Sequence, residues 1–195
     1  WVKAIKAPDC SNLFLQLTKT TSITFNNFNT NGVRSMSSMF EGCTSLESIT
    51  FGANFDTSKV TGMECMFTDC SSLTSLNLSN FNTSGVTSMG NMFYGCSSLT
   101  SLDLSSFNTI NVEYMLNTFR GCSLLTSITF GANFDTSKVT GMNNMFDGCS
   151  SLTSLDLSSF DLTACTSTTD MFTGCTKLTE LKTPKNSGTS TRTIT

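Results

Sequence analysis

The sequence predicts an α/β solenoid in which each coil of 26–27 residues contributes one short parallel strand and one short helix. Three observations predict it. Cys43, Cys70, Cys96, Cys122, Cys149 and Cys175 recur at intervals of 27, 26, 26, 27 and 26 residues. The text around each cysteine recurs with it, most cleanly at 84–107 (SGVTSMGNMFYGCSSLTSLDLSSF). Residues 48–63 (SITFGANFDTSKVTGM) return unchanged at 127–142, so a block of three coils is duplicated. A unit this short cannot bury its apolar stripe alone, and stacking makes one continuous core.

Taken in order, residues 1–22 read as an irregular N-terminal cap or an interrupted coil. Cys10-Ser11-Asn12-Leu13 starts like a repeat, but Ile23 then comes about seven residues late. Residues 23–183 read as the solenoid, with six to seven coils. In the strand half, Leu102 and Leu104 alternate with Ser101 and Asp103, the period of a half-buried strand. In the other half, Val86, Met89, Met92, Phe93 and Cys96 fit one face of a short helix. Asn82 to Ser84 supply oxygens for its N-cap, and Gly95 suits a left-handed residue near its end. The two 27-residue coils carry their extra residue in Gly52-Ala53-Asn54 and Gly131-Ala132-Asn133, in the strand-to-helix turn. The last coil degrades, with Cys165 at a valine position and Thr168 at a methionine position. Residues 184–195 read as a polar tail or linker. Parallel strands about 4.8 Å apart would give a rod on the order of 30 Å long.

The repeat resembles that of BspA-like bacterial surface proteins. The resemblance is carried by Phe-(Asn/Asp)-Thr-Ser-x-Val-Thr-x-Met-x-x-Met-Phe-x-Gly-Cys-(Ser/Thr)-Ser-Leu-Thr-Ser-Leu-(Asp/Asn)-Leu-Ser, from about Ile23 to Thr183. It implies a leucine-rich-repeat-type right-handed solenoid on a secreted, cell-anchored protein. It also implies non-enzymatic adhesion at the cell surface, to a host matrix or cell-surface protein or glycan, or to another microbial surface. Self-association through the solenoid ends, as a structural stalk, is the alternative. The chain opens on Trp1 with no signal peptide in view, and is expected to be a mature form or a piece of something longer.

Composition points the same way. Charged residues are 13% of the chain, against about 25% in average globular proteins. The net charge of -3 disfavours nucleic acid as a partner. No apolar run approaches the roughly 20 residues that cross a bilayer, so direct membrane insertion is not expected. With no histidine, the commonest general base and metal ligand is missing, and no enzyme, metal site or cofactor is expected.

The cysteine ladder, with Cys10 as a possible seventh member, reads as buried thiols acting as small hydrophobes. Cys65 takes the place of Asn91 and Asn144 and is expected on the outer helix face. Ser58-Lys59 and Ser137-Lys138 outline a serine–lysine pair but read more simply as turn residues. Asn29, Asp56, Asn82, Asn108, Asp135 and Asp161 form a ladder suited to turn capping, with calcium as the sharper alternative. On the strand side, Ser48, Ser75, Ser101, Ser127 and Ser154 stack into a hydroxyl face without aromatics, lacking platforms for sugars or bases. Residue variety concentrates on the other side. There Tyr94, Tyr114, Leu116 and Arg120, from two adjacent coils, form the candidate ligand-binding patch, since tyrosine and arginine are favoured hot-spot residues.

Overall fold

In the computed structural model, residues 9–186 are described. Residues 1–8 of the expected cap at 1–22, and the part of the tail beyond Asn186, lie outside them. The chain winds as stacked coils whose like residues superpose. One rung of parallel bridges runs Asp9, Ser35, Gly62, Ser88, Tyr114, Gly141 and Ser167 through seven coils.

The strand side forms as the alternation demands, but in shorter pieces. The strands are β1 (Ser22–Thr24), β2 (Ser48–Thr50), β3 (Ser101–Leu104), β4 (Ser127–Phe130), β5 (Ser154–Asp156) and β6 (Glu180–Lys182). They pair in parallel as β1–β2, β3–β4 and β5–β6, with like residues opposite: Ile23 with Ile49, Leu102 with Ile128, Leu155 with Leu181. The equivalent segment of the coil, 75–78, forms no strand.

The helix half needs correction: among the described residues there is no helix. Each coil instead makes successive turns with two left-handed residues. Ser38, Cys65, Asn91, Asn117, Asn144 and Asp170 have φ of 54–58°, and four residues on come Gly42, Asp69, Gly95, Gly121, Gly148 and Gly174, also left-handed. No α-helix tolerates that alternation. The amides divide their bonds between two directions. Met39, Glu41 and Cys43 close local turns onto Met36, Ser38 and Phe40, while Met36, Ser38, Phe40 and Gly42 donate to Gly62, Glu64, Met66 and Thr68 of the next coil. The spacing of Val86, Met89, Met92, Phe93 and Cys96 fits this inward face as well as it fits a helix, so periodicity alone misassigned it.

The core is a set of ladders. Phe14, Phe40, Phe67, Phe93, Phe119, Phe146 and Phe172 stack with centroids 5.4–5.7 Å apart and planes within 10°. Valine, methionine and leucine ladders flank them, fully buried in the middle coils. Burying each such side chain contributes about 1.5–3 kcal/mol against leaving it exposed.

The first coil is also re-registered. Asp9 bridges to Ser35 and the Phe14 amide bonds the Met39 carbonyl. Cys10 therefore occupies the ladder of Met36 and Met63, and Leu17 stands at the cysteine position. From Leu17 to Ile23 is the same step as from Cys43 to Ile49, so nothing is inserted. The Cys-x-x-Leu text at Cys10 imitates a repeat start in the wrong register.

Candidate functional site

Two polar ladders, one at the surface and one buried, fix the turns that carry the outer surface. The side-chain oxygens of Asn29, Asp56, Asn82, Asn108, Asp135 and Asp161 each accept the amide two residues on, at 2.7–3.2 Å. That is turn capping, and those Oδ1 atoms are spent on it. Among the described residues no three His, Cys, Asp or Glu side chains gather as a metal site. The next residue in each coil, Thr30, Thr57, Thr83, Thr109 and Thr136, is buried and donates its hydroxyl to a carbonyl of the following coil at 2.7–3.0 Å. Thr57, Thr83 and Thr136 also accept an amide from that coil. Sequence reading missed this ladder, although threonine in five successive Phe-(Asn/Asp)-Thr steps, giving way to Leu162 in the sixth, was a usable signal.

The cysteine ladder is also more than apolar filling. The thiols of Cys43, Cys70, Cys96, Cys122, Cys149 and Cys175 each donate to a phenylalanine carbonyl 29–30 residues back, at 3.0–3.2 Å. Burial is the main cause that raises their pKa values, Cys122 to about 12 and Cys175 to about 11. They stay protonated and unreactive at neutral pH. Cys10, Cys43, Cys65, Cys70, Cys96, Cys122, Cys149 and Cys175 stand outside any disulfide. Cys65 lies at a left-handed turn residue, not on a helix face, and is half-buried. Burial raises its pKa first, with Glu41 and Glu64 adding to the rise against hydrogen bonds from Thr68 and Ser38.

Tyr94, Arg120 and Asp147 occupy the same place in three successive coils, each just before a left-handed glycine. Their amides close turns onto Asn91, Asn117 and Asn144, so the three side chains project outward one coil apart. Arg120 Nε is 3.0 Å from Asp147 Oδ2, and its guanidinium carbon lies 5.9 Å from the Tyr94 ring centroid. The structure thus joins Tyr94 to Arg120. Tyr114 and Leu116 stand on the segment leading to Arg120 and are 48% and 39% exposed. Tyr114 bridges between Ser88 and Gly141, and Leu116 lies beside Gly90; small neighbours leave both side chains uncovered. Ile110 and Leu124 of the same coil are 40% and 51% exposed.

Beside the hydroxyl face, Phe51 and Phe130 stand at inward positions yet remain partly exposed in grooves next to the two Gly-Ala-Asn turns. The paired Ser-Lys sequences do not act together. The Ser58 and Ser137 amides serve the Asp56 and Asp135 caps, and Lys138 Nζ bonds Asn111 Oδ1 at 2.9 Å.

A family described as "Mycoplasma protein of unknown function, DUF285" matches residues 8–129 and 99–190. No curated protein matches the chain. Among solved structures, a leucine-rich-repeat protein of T. pallidum is 20% identical with a TM-score of 0.55, over 87% of this chain and 70% of that one. A leucine-rich cell-surface protein of Faecalibacterium prausnitzii is 19% identical with a TM-score of 0.35, over 93% and 63%. A leucine-rich-repeat protein of Bacteroides ovatus is 19% identical with a TM-score of 0.27, over 88% and 62%. The chain thus spans less than two thirds of the last two. The T. pallidum likeness shows a leucine-rich-repeat solenoid fold for this chain.

Proposed function

The chain belongs to the family described as "Mycoplasma protein of unknown function, DUF285", and from that premise we propose that it is a non-enzymatic binding module of an extracellular, surface-presented protein. Its partner is a host matrix or cell-surface protein or glycan, or another microbial surface. One observation carries the reading. Of the seven exposed large hydrophobic side chains among the described residues, Ile110, Tyr114, Leu116 and Leu124 stand on a single coil, the one that also carries Arg120 of the Tyr94–Arg120 contact. Tyrosine and arginine are the residue types that binding hot spots favour, and the aliphatic neighbours add apolar area around them. The Arg120–Asp147 pair pre-positions the guanidinium and reduces the ordering cost on binding.

The test is biolayer interferometry of the chain against matrix proteins, mucin and glycans at physiological salt. Saturable binding that falls at least tenfold on joint replacement of Tyr94, Tyr114 and Arg120 by alanine supports the patch. Binding unchanged by that replacement rejects it.

The second reading, a structural stalk that associates end to end, rests on Leu13, Leu15 and Leu17. These stand 38–40% exposed on the first described coil. Light scattering decides it: mass that rises with concentration supports association, and a constant monomer mass removes it.

A further inference from the structure

The duplicated block carries two equivalent grooves that the binding patch does not use. The first, about 180 Å3, is lined by Ile49, Thr50, Phe51, Asn77, Asn80 and Phe81, with Phe55 behind. The second, about 310 Å3, is lined by Ile128, Thr129, Phe130, Asp156, Ser158 and Ser159, with Gly131 and Ala132 at its rim. The shared residues are 79 positions apart. Both grooves arise for one reason. A Gly-Ala-Asn turn has one residue more than the coil that follows, so the shorter coil leaves the phenylalanine edge uncovered. A Cβ at Gly52 or Gly131 would run into the Phe25 or Ser105 carbonyl oxygen of the preceding coil, so glycine is what lets each turn pass there.

We infer that these two grooves are sites for a neutral sugar unit, one in each copy of the block. Each has a partly exposed phenylalanine at its base, an apolar contact for the C–H groups of a pyranose. Hydroxyl and amide or carboxylate groups at the rim suit its hydroxyls. No cationic side chain lines either groove. Lys182, opposite Asp156, is bound to it at 2.7 Å. An anionic ligand would therefore find no counter-charge. The second volume sits at the lower end of the roughly 300–1,000 Å3 range of small-ligand sites and the first lies below it, so neither takes more than one sugar unit or a large apolar ligand. Two sites three coils apart, about 14 Å at the strand spacing, allow a repeating glycan to gain by avidity what each site lacks.

The test uses the full chain, 15N-labelled, titrated with maltose, cellobiose and N,N′-diacetylchitobiose, with a sulfated heparin disaccharide as the anionic control. Saturable amide shifts at Gly52 and Ala53 and at Gly131 and Ala132, with a neutral sugar only, are expected. The informative variants are Phe51→Leu and Phe130→Leu, because leucine already fills this place at Leu78, Leu104 and Leu157 and keeps the fold. Phe51→Leu should abolish the shifts at Gly52 alone, and Phe130→Leu those at Gly131 alone. The Tyr94, Tyr114 and Arg120 replacement should leave both sets unchanged, which separates this inference from the binding patch. No saturable shift with any of the three neutral sugars overturns it, as do shifts that survive both leucine variants or that appear with the heparin disaccharide alone.

Discussion

Residues 48–63 and 127–142 are the same sixteen residues in two places, and the structure treats them almost alike. Phe51 lies 4.6 Å from Phe55 and 4.9 Å from Phe81; Phe130 lies 4.5 Å from Phe134 and 5.0 Å from Phe160. The differences come from neighbouring coils. Phe51 stacks on Phe25 at 5.9 Å, whereas Phe130 faces Leu104 across the strand pair. Ile49 is buried and Ile128 only half-buried. Lys138 bonds Asn111, while Lys59 follows a coil with Gly32 in that place. Identical text therefore specifies its own backbone, and the flanking coil decides what the surface beside it can hold.

Four measurements test that statement, from the largest effect to the smallest. Phe67→Ala and Phe146→Ala each remove one member of the continuous ring stack, and each should cost about 3–5 kcal/mol in urea unfolding. Equal costs would confirm that the copies share one core, and a difference above about 1 kcal/mol would break the equivalence. Gly52→Ala and Gly131→Ala would drive a Cβ into the Phe25 and Ser105 carbonyl oxygens, and each should cost about 1–3 kcal/mol or more. A neutral result at either site would show that the turn can shift.

Alkaline pH should weaken both copies together, through Cys70 and Cys149 and the rest of their ladder. Burial raises the folded thiols above the ordinary value of 9.0, Cys122 to about 12. An unfolded thiol ionises first. The stability these groups contribute is complete below about pH 9 and is lost as pH rises toward the folded values. Each fully buried thiol should contribute a slope of about 1.4 kcal/mol per pH unit in that range. Urea midpoints that stay constant from neutral to about pH 10 would contradict it.

The smallest effect separates the copies. Lys182 pairs with Asp156 in the coil after the second copy, where the first has Asn77. The hydrogen bond from Lys182 leads those that hold the Asp156 carboxyl down to about 2. Its stabilisation is present above the ordinary value of 3.8 and lost as pH falls through about 2. Lys182→Ala should raise the Asp156 pKa in an NMR titration and lower the urea midpoint at neutral pH only slightly, because both side chains are exposed.

Much of the architecture was legible in the text. Coil length, parallel like-on-like pairing, the buried cysteines and the Asx caps all follow from spacing, because superposed coils impose one environment on each position. The helix was not legible, since a three-residue apolar step serves a run of turns equally well. Asn91, Asn117 and Gly95 were the discriminating residues, being tolerant of φ above zero. Of the candidate patch, the sequence placed Tyr94 and Arg120 one coil apart and the structure supplies their contact. The Phe51 and Phe130 grooves were hidden. A phenylalanine at an inward strand position reads as core, and its exposed edge depends on the length of the next coil.

The sequence by itself determined the repeat, the inward ladders and the positions where chain-to-chain superposition forces one residue type. Those are properties of period, and period is written in one dimension. Only the tertiary structure decided where each N–H goes: some to local turns, some to the next coil and some to the preceding one. It also set the register of the first coil at Asp9 rather than at Cys10, and the side chains left uncovered at Tyr114, Leu116, Phe51 and Phe130. Those outcomes depend on the coil above and the coil below, and a residue's stacked neighbours lie a full turn of the solenoid away in sequence.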